Sequence, residues 1–219
     1  MRFIIRTIRM LTPHLDTLAE LGHSYDHMYS ATPSCIPARV SLFTGKKASN
    51  HKRVGYQDGI VWDYENMLPQ LLSDLGYQTQ CVGKLHVHPA RNNVGFNHVL
   101  LHDGYLNYYR DVTKPYYEHQ ENHDDYLRFL KREKGVDADV FQTGIDPNSW
   151  VACPWPYEEY THPTNWISTE SINFLRTRDR DKPFFLKASY VRPHQPFDAP
   201  QPFFDMYKDV KINKPHIGE

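Results

Sequence analysis

The ten residues "KPFFLKASYV", Lys182 to Val191, constrain the fold more than any other stretch of the chain. They form an apolar, β-rich run of the kind that a strand buried on both faces needs. A helix pattern leads directly into them: "TNWISTESINFLRTRD" places Ile167, Ser171, Phe174 and Leu175 on one side. The same order occurs earlier. "NMLPQLLSDLG" reads as a helix with Asn66 as cap, Leu68, Leu71, Leu72 and Leu75 inward and Gly76 just past its end. "YQTQCVGKLHVHP" follows as a strand ending at Gly83. Helices alternating with apolar strands predict an α/β fold, a mostly parallel sheet flanked by helices on both faces. Chemistry in such sheets gathers at the carboxyl ends of the strands. The polar residues Cys35, Lys84, His86 and His194 all fall just after strand candidates.

The remaining segments fit around that frame. "TPHLDTLAELG" predicts a helix with Thr12 as N-cap, Leu15, Leu18 and Ala19 on one face, and Gly22 as its stop. "HSYDHMYS" alternates weakly, as a strand would, and "CIPARVSLFTG" is a further short helix closed by Gly45. Residues 93–163 are rich in Tyr, Pro, Asp and His, with one helix expected near Asp124 to Lys134, and read as an irregular insertion over one end of the sheet. The whole of 1–219 is taken as one partial domain.

Composition excludes several function classes. A formal charge of −1 offers no electrostatic case for nucleic acid or an anionic membrane. Cys35, Cys81 and Cys153 have no paired spacing, which argues against a disulfide framework or a structural zinc site. No run approaches the roughly 20 apolar residues of a membrane span. "MRFIIRTIRM" is too short and too often broken by Arg for a secretory leader. As written the chain reads as cytoplasmic, and as periplasmic or secreted if its true N-terminus lies upstream.

The segment "SATPSCIPARVSLFTG", Ser30 to Gly45, carries the chemistry. Cys35 opens a helix, where unpaired backbone N–H groups and the dipole favour negative charge. Arg39 lies one turn further along the same face and suits an anion held there. A buried structural Cys beside a surface Arg is the plainer reading of those two residues alone.

The full string resembles the signature of the type I sulfatase family, Cys-x-Pro-x-Arg followed by a helix ending in Thr-Gly, matched at Cys35, Pro37, Arg39, Ser41, Leu42, Thr44 and Gly45. "TPHLDTLAELG", "VGKLHVHP" and "KPFFLKASYVRPHQPFDAP" resemble three further blocks of that family in the right order. "HDGYLNYY", "NSWVACPWPY" and "HPTNW" look like those of a bacterial arylsulfatase subgroup. The resemblance implies an alkaline-phosphatase-like fold and hydrolysis of a small-molecule or carbohydrate sulfate ester. It implies that a maturation enzyme oxidises Cys35 to formylglycine (3-oxoalanine). One hydroxyl of the hydrated aldehyde attacks sulfur, and the sulfated hemiacetal then expels sulfate as the aldehyde re-forms. Arg39 would stabilise the diol, Lys84 the sulfate oxygens, His86 proton traffic on the diol, and His194 the leaving oxygen. A divalent cation, usually calcium in the family, would bind the nucleophilic oxygen of residue 35.

The sequence departs from the family at the metal. "MRFIIRTIRML" holds no carboxylate where the family carries paired Asp residues, and no match to its distal Asp-Asn segment follows the "PHQPF" block. Calcium takes about six to eight oxygen ligands, of which residue 35 supplies a small part. The expectation is therefore a domain truncated at both ends, with an exposed sheet edge. Two alternatives stand beside the sulfatase reading: phosphonate or phosphodiester hydrolysis with the same nucleophile, and a non-catalytic remnant.

Overall fold

The computed structural model describes residues 4–5, 8–9, 11–104, 113, 124–146 and 148–211. Parts of "MRFIIRTIRM", "HDGYLNYY" and the 93–163 segment thus lie outside the described residues. Contacts divide the chain into two units, residues 1–30 with 205–219, and residues 31–204.

In the first unit, β1 (Ile4–Ile5) and β2 (Ile8–Arg9) form a short antiparallel pair. Helix α1 runs Pro13–Leu21 with Pro in its first turn, where a missing N–H costs nothing. Leu15 and Leu18, read as part of one apolar face, are 53% and 67% exposed. "HSYDHMYS" forms no strand and is a turn and irregular chain, since among the described residues no strand pairs with it.

The second unit holds a three-stranded parallel sheet in the order β4-β3-β5, with β3 at Gln78–Gly83, β4 at His98–Leu101 and β5 at Phe184–Ser189. Its helices are α2 (Cys35–Thr44), α3 (Ala48–His51), α4 (Leu68–Asp74), α5 (Asp125–Lys134) and α6 (Pro163–Thr177). Gln201–Met206 forms α7, and Glu159–Thr161 a single 3₁₀ turn. None of the described helices is long and apolar enough to cross a membrane.

Successive residues of a strand point to opposite faces, and each face of this sheet buries its own core. Cys81, Leu101 and Phe185 pack with Ile36, Val40 and Phe43 of α2, while Val82, Leu100 and Leu186 pack with Tyr126, Leu127 and Leu130 of α5 and Trp166 and Ile167 of α6. The central strand has a partner on each edge and a layer on each face, and Thr79 to Gly83 are all buried. That is the sheet flanked on both faces read from the sequence.

Three expectations need correction. The segment read as an irregular insertion contributes β4, whose four residues are too short to register as a pattern of their own. β5 is only half-buried, with Phe184 39% exposed, because among the described residues it pairs on one side only. Helix α4 is capped by Met67 and not Asn66, and it buries Pro69 while Leu71 and Leu75 remain exposed.

Gly83 ends β3 at φ +98°, in the region that excludes most side chains. A Cβ there would stand 2.1 Å from the Ser189 carbonyl oxygen and 2.8 Å from Ile167 Cδ1. The close approach lets the Lys84 amide bond the Ser189 oxygen at 2.8 Å, so the loop beyond β3 starts hard against the end of β5. Gly83→Ala is expected to cost about 4 kcal/mol or more, the range that follows from combined overpacking and backbone strain. Urea unfolding followed by circular dichroism measures it.

Candidate active site

Helix α2 is built to present its first residue. Ile36, Val40 and Phe43 share one face and are at most 2% exposed, which fixes the helix on the sheet. Gly45 closes it in the left-handed conformation, its N–H bonding the Ser41 carbonyl at 2.9 Å. At the other end Ser34 makes no side-chain cap to the first-turn amides of the helix that Cys35 opens. Cys35 is half-buried and packs against the apolar cluster that contains Leu85 and Val87, the two neighbours of His86.

Arg39 links α2 to the end of β3: its Nη1 donates to the Lys84 carbonyl at 3.2 Å. The Lys187 ammonium donates to that same oxygen at 3.1 Å. Two cations from separate elements therefore converge beside Lys84, which is itself 4% exposed. Burial pulls the Lys187 ammonium down to about 8; the charges of Arg39 and Lys84 act in the same direction, against Cys81 and Asp103. Burial pushes the facing Cys81 thiol up to about 11.

Beyond Lys84 the chain turns through His86, at φ +55° and 1% exposed, with the Tyr56 ring 5.9 Å from its own. His194 sits in the turn after β5, where its N–H bonds the Val191 carbonyl at 3.1 Å and its Nδ1 the Gln195 carbonyl at 3.1 Å. Burial lowers its pKa, the Gln195 bond opposes that, and the nearby charges of Lys84 and Arg192 lower it further. Asp198 closes the same turn, 1% exposed, with both oxygens on Arg192 at 2.5 and 2.6 Å. Burial pushes its carboxyl up, but the bonds from His162 and Arg192 outweigh burial and hold it below the usual range. A mostly apolar cavity of about 400 Å³ opens beside this turn, lined by Pro193, Pro196, Phe197, Phe203 and Phe204 among others.

Of the residues singled out in the sequence, Arg39 and Lys84 are thus directly joined, His194 lies within electrostatic reach of Lys84, and His86 is two residues along the same loop. Among the described residues no hydrogen bond joins the Cys35 thiol to the other four. Lys187 and Asp103 escaped sequence reasoning. A lysine inside the apolar run "FFLKASYV" was the available signal for the first.

The implied cation finds no shell here. Among the described residues no three His, Cys, Asp or Glu side chains are grouped to hold a metal ion. The carboxylates nearest the site are engaged elsewhere, Asp198 with Arg192 and Asp103 with backbone amides. Calcium coordination by Cys35 therefore does not fit the residues described, and no step is routed through it.

The parallel sheet flanked by helices, with cationic side chains gathered at its carboxyl end, is an α/β arrangement of alkaline-phosphatase-like fold. The phosphonate monoester hydrolase of Agrobacterium radiobacter shares that fold, with a TM-score of 0.65 at 22% identity over 89% of this chain and 38% of that one. The sulfatase family model matches residues 3–216, and the chain belongs to the sulfatase family. It is 50% identical over 208 residues to an arylsulfatase of Clostridium perfringens, covering 95% of this chain and 43% of that protein. Iduronate 2-sulfatase of Mus musculus is 27% identical, over 95% of this chain and 36% of that protein. The chain thus spans less than half the length of these relatives. Membership suggests a divalent cation and a formylglycine.

Lys187 gives the site a pH signature. Its folded value of about 8 lies below the ordinary 10.5, so the unfolded chain binds the extra proton between those values. Its contribution to stability therefore rises with pH from about 8 upward. Cys81 opposes this only from its ordinary value of 9.0 toward about 11. Unfolding free energy is expected to increase between pH 8 and 9, by at most about 1 kcal/mol. Denaturant titration of a Lys187→Met variant should lack that increase.

Proposed function

We propose that this chain forms the nucleophile- and sulfate-binding part of a sulfuric ester hydrolase of arylsulfatase type. The Arg39–Lys84 hydrogen bond carries the reading, since it ties the Cys-x-Pro-x-Arg helix to the Lys-x-His loop from 45 residues away. Formylglycine made from Cys35 by a maturation enzyme would supply the nucleophile, and a divalent cation, calcium by resemblance, would complete the centre with ligands beyond those described here.

The chain's own residues then divide the work. Arg39 and Lys84, with Lys187 behind them, set a positive field at the helix tip that favours a tetrahedral oxyanion. His86 handles proton traffic at residue 35. His194 serves the leaving oxygen: its Nδ1 donates to the Gln195 carbonyl, so Nε2 is the nitrogen that exchanges the proton. A lowered pKa makes its imidazolium the stronger acid toward a departing alkoxide. The fold neighbours that act on phosphonates are too distant in sequence to favour that substrate over a sulfate ester.

Cys35→Ala is expected to abolish sulfate release from an aryl sulfate in protein co-expressed with a formylglycine-generating enzyme. Turnover that survives the substitution would reject the assignment. The mature Cys35 peptide should weigh about 18 Da less than its thiol form, since –CHO replaces –CH₂SH. Calorimetry of residues 1–219 should show no tight, stoichiometric calcium binding, since no carboxylate cluster occurs among the described residues.

A further inference from the structure

We propose that Asp103 is the positioning residue of the Lys84–His86 loop, and that it transmits to that loop a fixed reference from the start of helix α5. The inference rests on the reading that Lys84 and His86 serve the site. Once β3 ends at Gly83 and the Lys84 amide has bonded the Ser189 oxygen, the next two amides have no strand to pair with. Asp103, 1% exposed, supplies the acceptor. Its Oδ1 takes the Leu85 N–H at 2.7 Å and the His86 N–H at 2.9 Å. Two successive amides aimed at one carboxylate oxygen bend the chain sharply, and His86 adopts φ +55° there. A non-glycine residue is strained in that conformation, and two charge-assisted bonds are strong enough to hold it.

Asp103 is itself held in place. Leu101, the last residue of β4, gives its N–H to Asp125 Oδ2 at 2.7 Å, and that carboxylate pairs bidentately with Arg91 at 2.7 and 3.0 Å. His102 bonds the Gly83 carbonyl through its N–H at 3.1 Å and the Asp124 carboxylate through Nδ1 at 3.0 Å. Asp124 in turn caps α5 by accepting the Leu127 N–H at 2.9 Å. Three consecutive residues at the end of β4 are thus each tied by a carboxylate. Two ties run back to α5, and the third runs forward to the loop that carries Lys84 and His86. The negative charge also sits among cations, since Lys187 and Arg91 both feel it. A neutral acceptor of the same shape would lose that charge and hold the two amides more weakly.

Two variants of the whole chain test this, Asp103→Asn and Asp103→Ala, with Asn retaining the shape should Ala fail to fold. Hydrogen exchange read by NMR is the first arm and does not depend on catalysis. In Asp103→Asn the Leu85 and His86 amides should lose at least tenfold in protection, while Cys81, Val82 and Ile167 stay within twofold. The second arm is turnover of an aryl sulfate by the matured full-length protein carrying the same substitution. There kcat should fall about a hundredfold with KM within threefold, because the cations remain but their aim is lost. Unchanged protection of the two amides overturns the proposal, as does unchanged kcat in an active parent. If the parent itself shows no turnover, the sulfatase reading fails, and the exchange arm still decides whether Asp103 positions the loop.

Discussion

The contact at Gly83 sets the rest of the site. Parallel strands leave the sheet at a common end, but nothing in the ladder makes the chains that follow them approach one another. Here a residue without Cβ lets the β3 exit lie against the Ser189 carbonyl, at a distance no side chain tolerates. The Lys84 amide then bonds that carbonyl, and the Lys84 carbonyl faces the other way, toward Arg39 and Lys187. One residue thereby joins β5 to α2. Enlarging residue 83 would separate the two motif blocks without altering any charged group.

The crowding of cations has a physical cost that the fold distributes. Arg39, Lys84, Lys187 and Arg192 belong to four different segments, and their mutual repulsion is opposed by carbonyl dipoles and by the buried carboxylates Asp103 and Asp198. Burial is the first cause of the depressed Lys187 and His194 values, and neighbouring cations push both the same way. A site poised in this way gains free energy when an anion arrives. Burial is the main reason that the pKa of His194 is lowered, and the charges of Lys84 and Arg192 add to it.

The elements around the site were legible wherever periodicity and punctuation agreed. Helix α2 ran from Cys35 to the Gly45 stop as read, and β3 ended at Gly83 as read. Four-residue β4 passed unnoticed because its length is below what alternation can reveal, and its identity as a strand comes from pairing with Gln80 to Gly83. Helix α1 kept its predicted bounds while its Leu face stayed exposed, since periodicity reports an apolar stripe and not what covers it. Candidate site residues were named where contiguous motifs carried them. Asp103 was not, because an acceptor for backbone amides leaves no mark on the spacing of the residues it serves.

The burial of Cys81 in the middle of β3 sorts the chain's thiols by kind. With no exposed surface and a pKa near 11, it is both sealed and protonated, and oxidants or electrophiles have no thiolate to meet there. The strand that carries the Lys84–His86 loop is therefore insulated from redox damage. Cys35, only half-buried at the tip of α2, meets solvent on terms that the sulfur inside the sheet does not share.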